Sequence, residues 1–199
     1  MLSSTQIAIF ASGAGSNAEK IAQYFDDHPS VKVSLIVCNN PKAGVVEIAR
    51  QENIPLILLE KKEFFSPNHL LERLTDKKID FLVLAGFLWM LPVDLVRAYP
   101  KKIINIHPAL LPKYGGTGMY GDRVHQAVIA NHEPESGITI HYADEVYDHG
   151  QIILQAKCFV EENETVEHLA AKIHALEHKN FSKTIELVIN LQNIVKTRI

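Results

Sequence analysis

Apolar residues fall into two kinds of run, and these alternate through the first 107 positions. Five runs are short, nearly continuous in hydrophobicity and mostly contain β-branched residues, which is typical of strands buried on both faces. These runs are QIAIFAS at 6–12, KVSLIVCN at 32–39, PLILL at 55–59, DFLVLAGF at 80–87 and KIINIH at 102–107.

Longer segments between these runs carry apolar residues at helical spacing. They are NAEKIAQYFDDH at 17–28, AGVVEIARQEN at 43–53 and NHLLERLTDKK at 68–78. Alternating strands and helices predict a mainly parallel, doubly wound sheet with right-handed crossovers.

The pattern changes after residue 107. A loop rich in glycine and proline at 108–121 leads to a predicted helix at 122–132. Two strands, 136–145 and 150–160, are expected to pair antiparallel across a short turn. The periodic segment 165–193 predicts one helix or two in succession, and Thr165 is a candidate cap. We therefore predict one α/β domain over residues 1–199, with an antiparallel C-terminal strand and a long C-terminal helix.

Charge and composition narrow the function classes. The formal net charge is −3, which argues against a nucleic-acid or anionic-membrane binder. No apolar run approaches the roughly 20 residues that span a bilayer, and the N-terminus lacks a basic signal region, so we expect a cytoplasmic protein. Cys38 and Cys158 are expected to be separate reduced thiols, and two cysteines disfavour a structural zinc site.

The turn SGAGSN at 12–17 separates the first predicted strand from the first helix. Its backbone N–H groups at Gly15, Ser16 and Asn17 would lie at a helix N-terminus, where a phosphate is favoured. Ser16 or Asn17 could instead serve only as the N-cap. The third glycine of a dinucleotide fingerprint is replaced by Ala18, so a monophosphate fits better than a dinucleotide.

Polar side chains also follow the fourth and fifth predicted strands, where open α/β sheets bind ligands. Gly86 permits close backbone approach, and the apolar residues at 87–91 suit a flat heterocycle. Asn105 and His107 alternate on the fifth strand and should point to one face, where both could donate hydrogen bonds to an oxyanion.

Three carboxylates lie near the end of the strand at 136–145. Asp144, Glu145 and Asp148 are each candidates to partner His107, and spacing alone does not choose among them. Such a carboxylate would raise the pKa of His107 and keep it protonated nearer neutral pH. The alternative is ordinary turn chemistry, in which Asp is common.

Taken together, these motifs resemble the folate-dependent formyltransferases. The matching segments run in family order over nearly the whole chain, and SGAGSN favours the branch that formylates a ribonucleotide amine. They are SGAGSN (12–17), LAGF (84–87), NIHPALLPKYGG (105–116), GITIHYADEVYDHGQIILQ (137–155) and LEHK (176–179).

The resemblance implies a Rossmann-like formyltransferase fold and formyl transfer from 10-formyltetrahydrofolate to glycinamide ribonucleotide, in purine biosynthesis. The folate is then a co-substrate, with no tightly bound cofactor and no metal. Small molecules are the expected partners, and the protein is expected to be a monomer or a homodimer.

The same resemblance implies roles for individual residues. Asn105, His107 and Asp148 match the catalytic trio, and Asp144 is the alternative to Asp148. The predicted substrate-binding residues are Gly15, Ser16, Asn17, Gly86, Pro108 and Glu177. The predicted folate-binding residues are Lys62 (or Lys61), Leu88, Trp89, Met90, Leu91, Asn105, Asp144, Glu145, Val146 and Tyr147.

Four positions depart from the family pattern. Trp89 stands where many relatives carry Arg, Ala14 replaces a polar residue, and no proline follows Gly150. The loop at 115–128 is longer than in many relatives, which leaves the role of His125 open. The alternative functions are formylation of another amine, such as an amino-sugar nucleotide, and a non-catalytic ligand-binding module.

Overall fold

The computed structural model describes residues 4–196, and within that range seven strands form one sheet. The strands are β1 (Thr5–Ala11), β2 (Val31–Cys38), β3 (Leu56–Leu58), β4 (Phe81–Leu84), β5 (Ile103–His107), β6 (Glu135–Tyr142) and β7 (Ile152–Phe159). The helices of the same range are α1 (Ser16–Tyr24), α2 (Gly44–Gln51), α3 (Lys61–Phe64), α4 (His69–Asp76), α5 (Val93–Ala98), α6 (Asp122–Ala130) and α7 (Val166–Lys196).

The strand order in the sheet is β3-β2-β1-β4-β5-β6-β7. Neighbouring strands from β3 through β5 pair in parallel, whereas β6 pairs antiparallel with both β5 and β7. The predicted doubly wound, mainly parallel sheet with an antiparallel strand near its C-terminal end is confirmed.

Both faces of the central strands are buried, which explains their continuous hydrophobicity. On β1, Ile7 and Ile9 belong to one apolar cluster, while Ala8 and Phe10 belong to another on the opposite face. All four side chains are fully buried. Successive side chains of a strand point to opposite faces, so a strand between two helical layers must be apolar at every position.

The helices divide between the two faces of the sheet. Buried residues of α1, α2, α6 and α7 join the cluster that contains Ile7, whereas those of α3, α4 and α5 join the cluster that contains Phe10. The structure thus has three layers, with the helices of each face covering one side of the sheet.

The last predicted segment forms one helix rather than two. Thr165 caps it, since its Oγ1 accepts a hydrogen bond from the backbone N–H of His168 at 3.1 Å. The short helices α3 and α5 were not predicted, because four and six residues are too few to establish a helical period.

Cys38 and Cys158 are free thiols, as expected. Burial raises the pKa of both. Among the residues that the structure describes, no helix is long and apolar enough to cross a membrane.

Gly137 lets β6 pack closely against β7. A Cβ at this position would overlap the carbonyl oxygen of Ala156 and lie 2.8 Å from Cδ2 of Leu110. Because the first obstacle is backbone, it cannot rotate away.

We expect Gly137→Ala to lower the free energy of unfolding by about 1–3 kcal/mol, the usual cost of overpacking. For a chain of this size that corresponds to about 2–4 °C in melting temperature per kcal/mol. Gly13→Ala is the matched control, since a Cβ there meets nothing within 4 Å. Equal melting temperatures for both variants in calorimetry would contradict this account.

Candidate active site

The segments that follow β1, β4 and β5 meet at the carboxyl edge of the sheet and line a cavity of about 640 Å³. Two hydrogen bonds hold the first two segments together. Ser12 N–H donates to the carbonyl of Gly86 at 3.1 Å, and Leu88 N–H donates to Oγ of Ser12 at 2.9 Å. The topology therefore brings these segments to one place, as expected for an open α/β sheet.

Most of the residues predicted for the site line this one cavity. They are Gly15, Ser16, Asn17, Gly86, Leu88, Trp89, Met90, Leu91, Asn105, His107, Pro108, Asp144, Val146, Tyr147, Asp148 and Glu177. Lys62 and Glu145 do not line it.

The glycine turn enters α1 through an unusual backbone conformation. Gly15 is the N-cap at φ 86°, and no side chain of the described residues caps the helix. A Cβ at Gly15 would also lie 2.8 Å from Cα of Val45. The interpretation of Ser16 or Asn17 as N-cap is therefore wrong, and the helix begins with its backbone donors beside the cavity.

The side chain of Asn17 is instead bound to the other end of the chain. Its Nδ2 donates to Oε2 of Glu177 at 2.8 Å. Burial raises the pKa of Glu177, and the hydrogen bond from Asn17 opposes that shift. This end of the cavity therefore joins helix N-terminal amides, an amide side chain and a carboxyl group.

His107 is 4% exposed, and both of its ring nitrogens face oxygen acceptors. Nε2 lies 2.7 Å from the carbonyl oxygen of Tyr114, so this nitrogen carries the proton that it donates. Nδ1 lies 3.4 Å from Oδ2 of Asp148. In the neutral ring Nδ1 has no proton, so it is the atom that can take one up.

The pKa of His107 is lowered on balance, although its carboxylate neighbour raises it as predicted. Burial lowers its pKa, and that effect outweighs the negative charge of Asp148 and the carbonyl of Tyr114, both of which raise it. The expected carboxylate neighbour is present, but burial in low dielectric disfavours the charged imidazolium more than one carboxylate favours it.

Asp148, rather than Asp144 or Glu145, is the carboxylate that faces His107. Burial works to raise its pKa, but hydrogen bonding with His141, the charge of His107 and the backbone N–H of Gly116 together lower it. The Gly116 N–H lies 2.9 Å from Oδ2. Asp148 therefore stays ionised at neutral pH although its side chain is only 10% exposed.

Asn105 connects the same carboxylate to His141. Its Nδ2 lies 3.0 Å from Nε2 of His141 and 3.4 Å from Oδ1 of Asp148. Nδ1 of His141 donates to the carbonyl of Tyr142 at 2.9 Å, so Nε2 of the neutral ring accepts from Asn105. Nε2 of the same ring also lies 3.6 Å from Oδ1 of Asp148.

Three predicted residues have other contacts. Asp144 lines the cavity, but its carboxylate accepts from the N–H of Val146 and contacts Nδ1 of His149, which is turn chemistry. Glu145 forms an ion pair with Arg97 at 2.8 Å, which draws it away from the cavity. Lys62 is exposed on α3, outside the cavity wall.

The remaining wall of the cavity is apolar. Leu88, Met90, Val146 and Tyr147 are 36–58% exposed, and all four line the cavity. Large apolar side chains clustered in one concave surface are typical of a ligand site. Trp89 lies behind them, with its ring centroid 5.1 Å from that of the buried Phe64.

Sequence reasoning did not single out three polar residues of the cavity, namely His141, His174 and Arg123. His141 stands directly opposite Asn105 in the β5–β6 register, and His174 precedes Glu177 by one helical turn. Cross-strand pairing and helical spacing could have indicated these two. Arg123 lines the cavity from α6 together with His125, whose role was left open, and no local pattern indicates where that helix packs.

Within the described residues, no group of three His, Cys, Asp or Glu side chains is arranged to hold a metal ion. The polar groups that line the cavity are hydrogen-bond donors, carboxyl groups and imidazole rings.

Comparison with known proteins gives a consistent result along the chain. Residues 5–185 match the family model described as formyl transferase. The chain is 41% identical over 186 residues to phosphoribosylglycinamide formyltransferase, chloroplastic, of Arabidopsis thaliana, covering 90% of this chain and 64% of the plant protein. It therefore spans less than two thirds of that relative.

Two bacterial proteins match over more of their own length. The chain is 36% identical over 193 residues to phosphoribosylglycinamide formyltransferase of Bacillus subtilis (strain 168), covering 94% of this chain and 96% of that protein. The crystal structure of the enzyme of the same name from Bacillus halodurans superposes with a TM-score of 0.84 at 37% identity, covering 93% of this chain and 95% of that one.

The contact between His107 and Asp148 yields a spectroscopic prediction. We expect the pKa of His107, followed by NMR, to lie below the ordinary value of about 6.5 and to fall further in Asp148→Asn. The reason is that the carboxylate charge opposes the effect of burial, and its removal leaves burial less compensated.

Stability provides a second measurement of the same shift. Because the pKa of His107 is lower in the folded chain, the unfolded chain takes up the proton first, so unfolding becomes easier as pH falls below about 6.5. Subtracting the pH profile of His107→Gln from that of the wild type isolates this contribution. If the contribution of His107 to the free energy of unfolding instead increased toward low pH, the assignment would be contradicted.

Proposed function

The chain belongs to the formyl transferase family, and we propose that it transfers the formyl group of 10-formyltetrahydrofolate to the amine of glycinamide ribonucleotide. The products are formylglycinamide ribonucleotide and tetrahydrofolate. The folate is a co-substrate that enters and leaves, and residues 1–199 act as one catalytic domain.

One observation carries this proposal. Asn105 and His107 each lie 3.4 Å from a different oxygen of Asp148, inside a cavity whose other end is the glycine turn. An amide, an imidazole and an ionised carboxylate beside helix N-terminal donors match the needs of acyl transfer to a phosphorylated amine.

The reaction begins when the amine nitrogen attacks the formyl carbon on N10 of the folate. The carbon–oxygen double bond opens, and negative charge develops on that oxygen. Nδ2 of Asn105 can donate to it by giving up its longer contact with Asp148, while the bond to His141 keeps the amide oriented. A donor of this kind is typically worth about 3–4 kcal/mol of the barrier.

Proton movement involves His107 and Asp148. The attacking amine becomes positively charged and must lose a proton, and N10 must gain one before it leaves. Nδ1 of His107 and Oδ2 of Asp148 offer two acceptors 3.4 Å apart, which can hold this proton directly or through water. The imidazolium formed in this way also places positive charge beside the oxyanion.

Two ends of the cavity fix the two substrates. We assign the phosphate to the turn at Gly15, Ser16 and Asn17, and the ribose to Glu177. Gly86 and Pro108 contribute backbone near the reacting amine.

We assign the pterin and its attached ring to the apolar wall. This wall is formed by Leu88, Trp89, Met90, Leu91, Val146 and Tyr147, with Asp144 at its edge. Holding both reactants in attack geometry supplies much of the remaining rate.

The direct test is an assay of tetrahydrofolate release from 10-formyltetrahydrofolate. Release should require glycinamide ribonucleotide and yield the formylated product in equal amount. An amino-sugar nucleotide in place of the ribonucleotide should be inert. Binding of both compounds without transfer would instead support a non-catalytic module.

We expect Asp148→Asn to lower kcat by about 10²–10⁴-fold, because the amide cannot accept the proton.

Asn105→Ala should lower kcat by about 10²–10³-fold with a smaller change in KM, because its hydrogen bond forms mainly in the transition state. Steady-state kinetics with circular dichroism checks on folding would measure both. Near-wild-type kcat in either variant would refute its assigned role.

A side chain added in the glycine turn should weaken binding of the ribonucleotide and leave binding of the folate unchanged. Gly13→Val adds a side chain beside the phosphate cradle without a steric conflict, since a Cβ there meets nothing within 4 Å. We expect KM for the ribonucleotide to rise at least about tenfold, as expected for loss of about 1.4 kcal/mol of binding, with the folate KM unchanged. Equal rises in both KM values would argue against a phosphate site at this turn.

A further inference from the structure

His125 is a buried polar residue that the reaction described above does not use. It lies on α6 and is 2% exposed, yet its ring lines the cavity. Its Nδ1 atom is buried and has no hydrogen-bond partner among the described residues. A buried ring nitrogen without a partner destabilises the free protein, so its position calls for a functional explanation.

The groups around His125 define its charge state. Asp122 on the same helix raises its pKa, and His174 on α7 and His107 on β5 lower it. Burial is the largest effect and also lowers it, so the ring is neutral at pH 7. A neutral imidazole offers one N–H donor and one acceptor to whatever enters the cavity.

His125 shares its cavity with other imidazole rings. His107 of the reacting cluster and His174 of α7 line the same cavity, and both lower the pKa of His125. His174 precedes Glu177 by one turn of α7, and Glu177 is bonded to Asn17. His125 therefore lines the same cavity as the reacting groups and the residues around the glycine turn.

We propose that His125 is a substrate-binding residue that hydrogen-bonds the ribosyl-amide part of the phosphorylated amine, between its phosphate and its reacting nitrogen. This inference rests on the proposed function, because it assumes a substrate that spans the cavity from the turn to Asp148. The hydrogen bond forms only when the substrate is bound, so it provides specificity for the amine and leaves the folate unaffected.

His125→Leu tests this role, because leucine retains an apolar side chain beside the buried Val124 and Val128 but cannot hydrogen-bond. We expect KM for glycinamide ribonucleotide to rise 10- to 100-fold, with the KM for 10-formyltetrahydrofolate changed less than twofold. His125→Gln should recover part of the affinity, since its longer side chain can bring an amide to the position of Nε2, the ring nitrogen that is not fully buried.

Thermal unfolding separates binding from structure. Without ligand, His125→Leu should melt at or above the wild-type temperature, because the unpaired nitrogen is gone. The rise in melting temperature caused by saturating ribonucleotide should be smaller than in the wild type. His69→Leu is the control outside the cavity, since His69 lies on α4 and its buried Nε2, 3.8 Å from Oε2 of Glu63, makes no hydrogen bond.

The outcomes distinguish this inference from the function on which it rests. If the wild type forms no formylated ribonucleotide, the proposed function fails. If the wild type is active and His125→Leu keeps its ribonucleotide KM while only its melting temperature changes, His125 is a structural residue and the inference fails. Equal rises in both KM values would indicate general disruption of the cavity and would also overturn it.

Discussion

The site depends on the antiparallel pairing of β5 with β6. This pairing sets Asn105 opposite His141, and the turn that follows β6 then brings Asp148 within 3.4 Å of both Asn105 and His107. A shift of one residue in this register would turn the polar side chains into the opposite apolar layer. The close contact at Gly137 fixes β6 against β7 and so helps to prevent that shift.

Much of the fold could be predicted because burial leaves a strong imprint on the sequence. β1 is apolar from Ile7 to Ala11, where both of its faces are covered, and α7 keeps its period through 31 residues. The same physics explains the failures. The short helix α3 has too few residues to show a period, and a cap such as Gly15 depends on the close approach of Val45, which no local pattern records.

The grouping of site residues was predictable from topology, whereas their electrostatics were not. Asn105 and His107 come together because alternate residues of a strand share a face. The direction of the pKa shift at His107 depends on how much of the ring is buried. The sequence indicated that a carboxylate would lie near the ring, but it did not indicate how deeply the ring is buried. Lys62 lies on α3, outside the cavity wall, and the path of such a short surface helix cannot be derived from residue types.

The hydrogen bond between Asn17 and Glu177 joins residues that are 160 positions apart, on the first and last helices. A ligand bound to both residues would hold α1 and α7 together. The ligand would then have to dissociate before α7 could detach from the rest of the chain. An occupied cavity should therefore slow proteolytic cleavage in α7 more than in α4 on the opposite face.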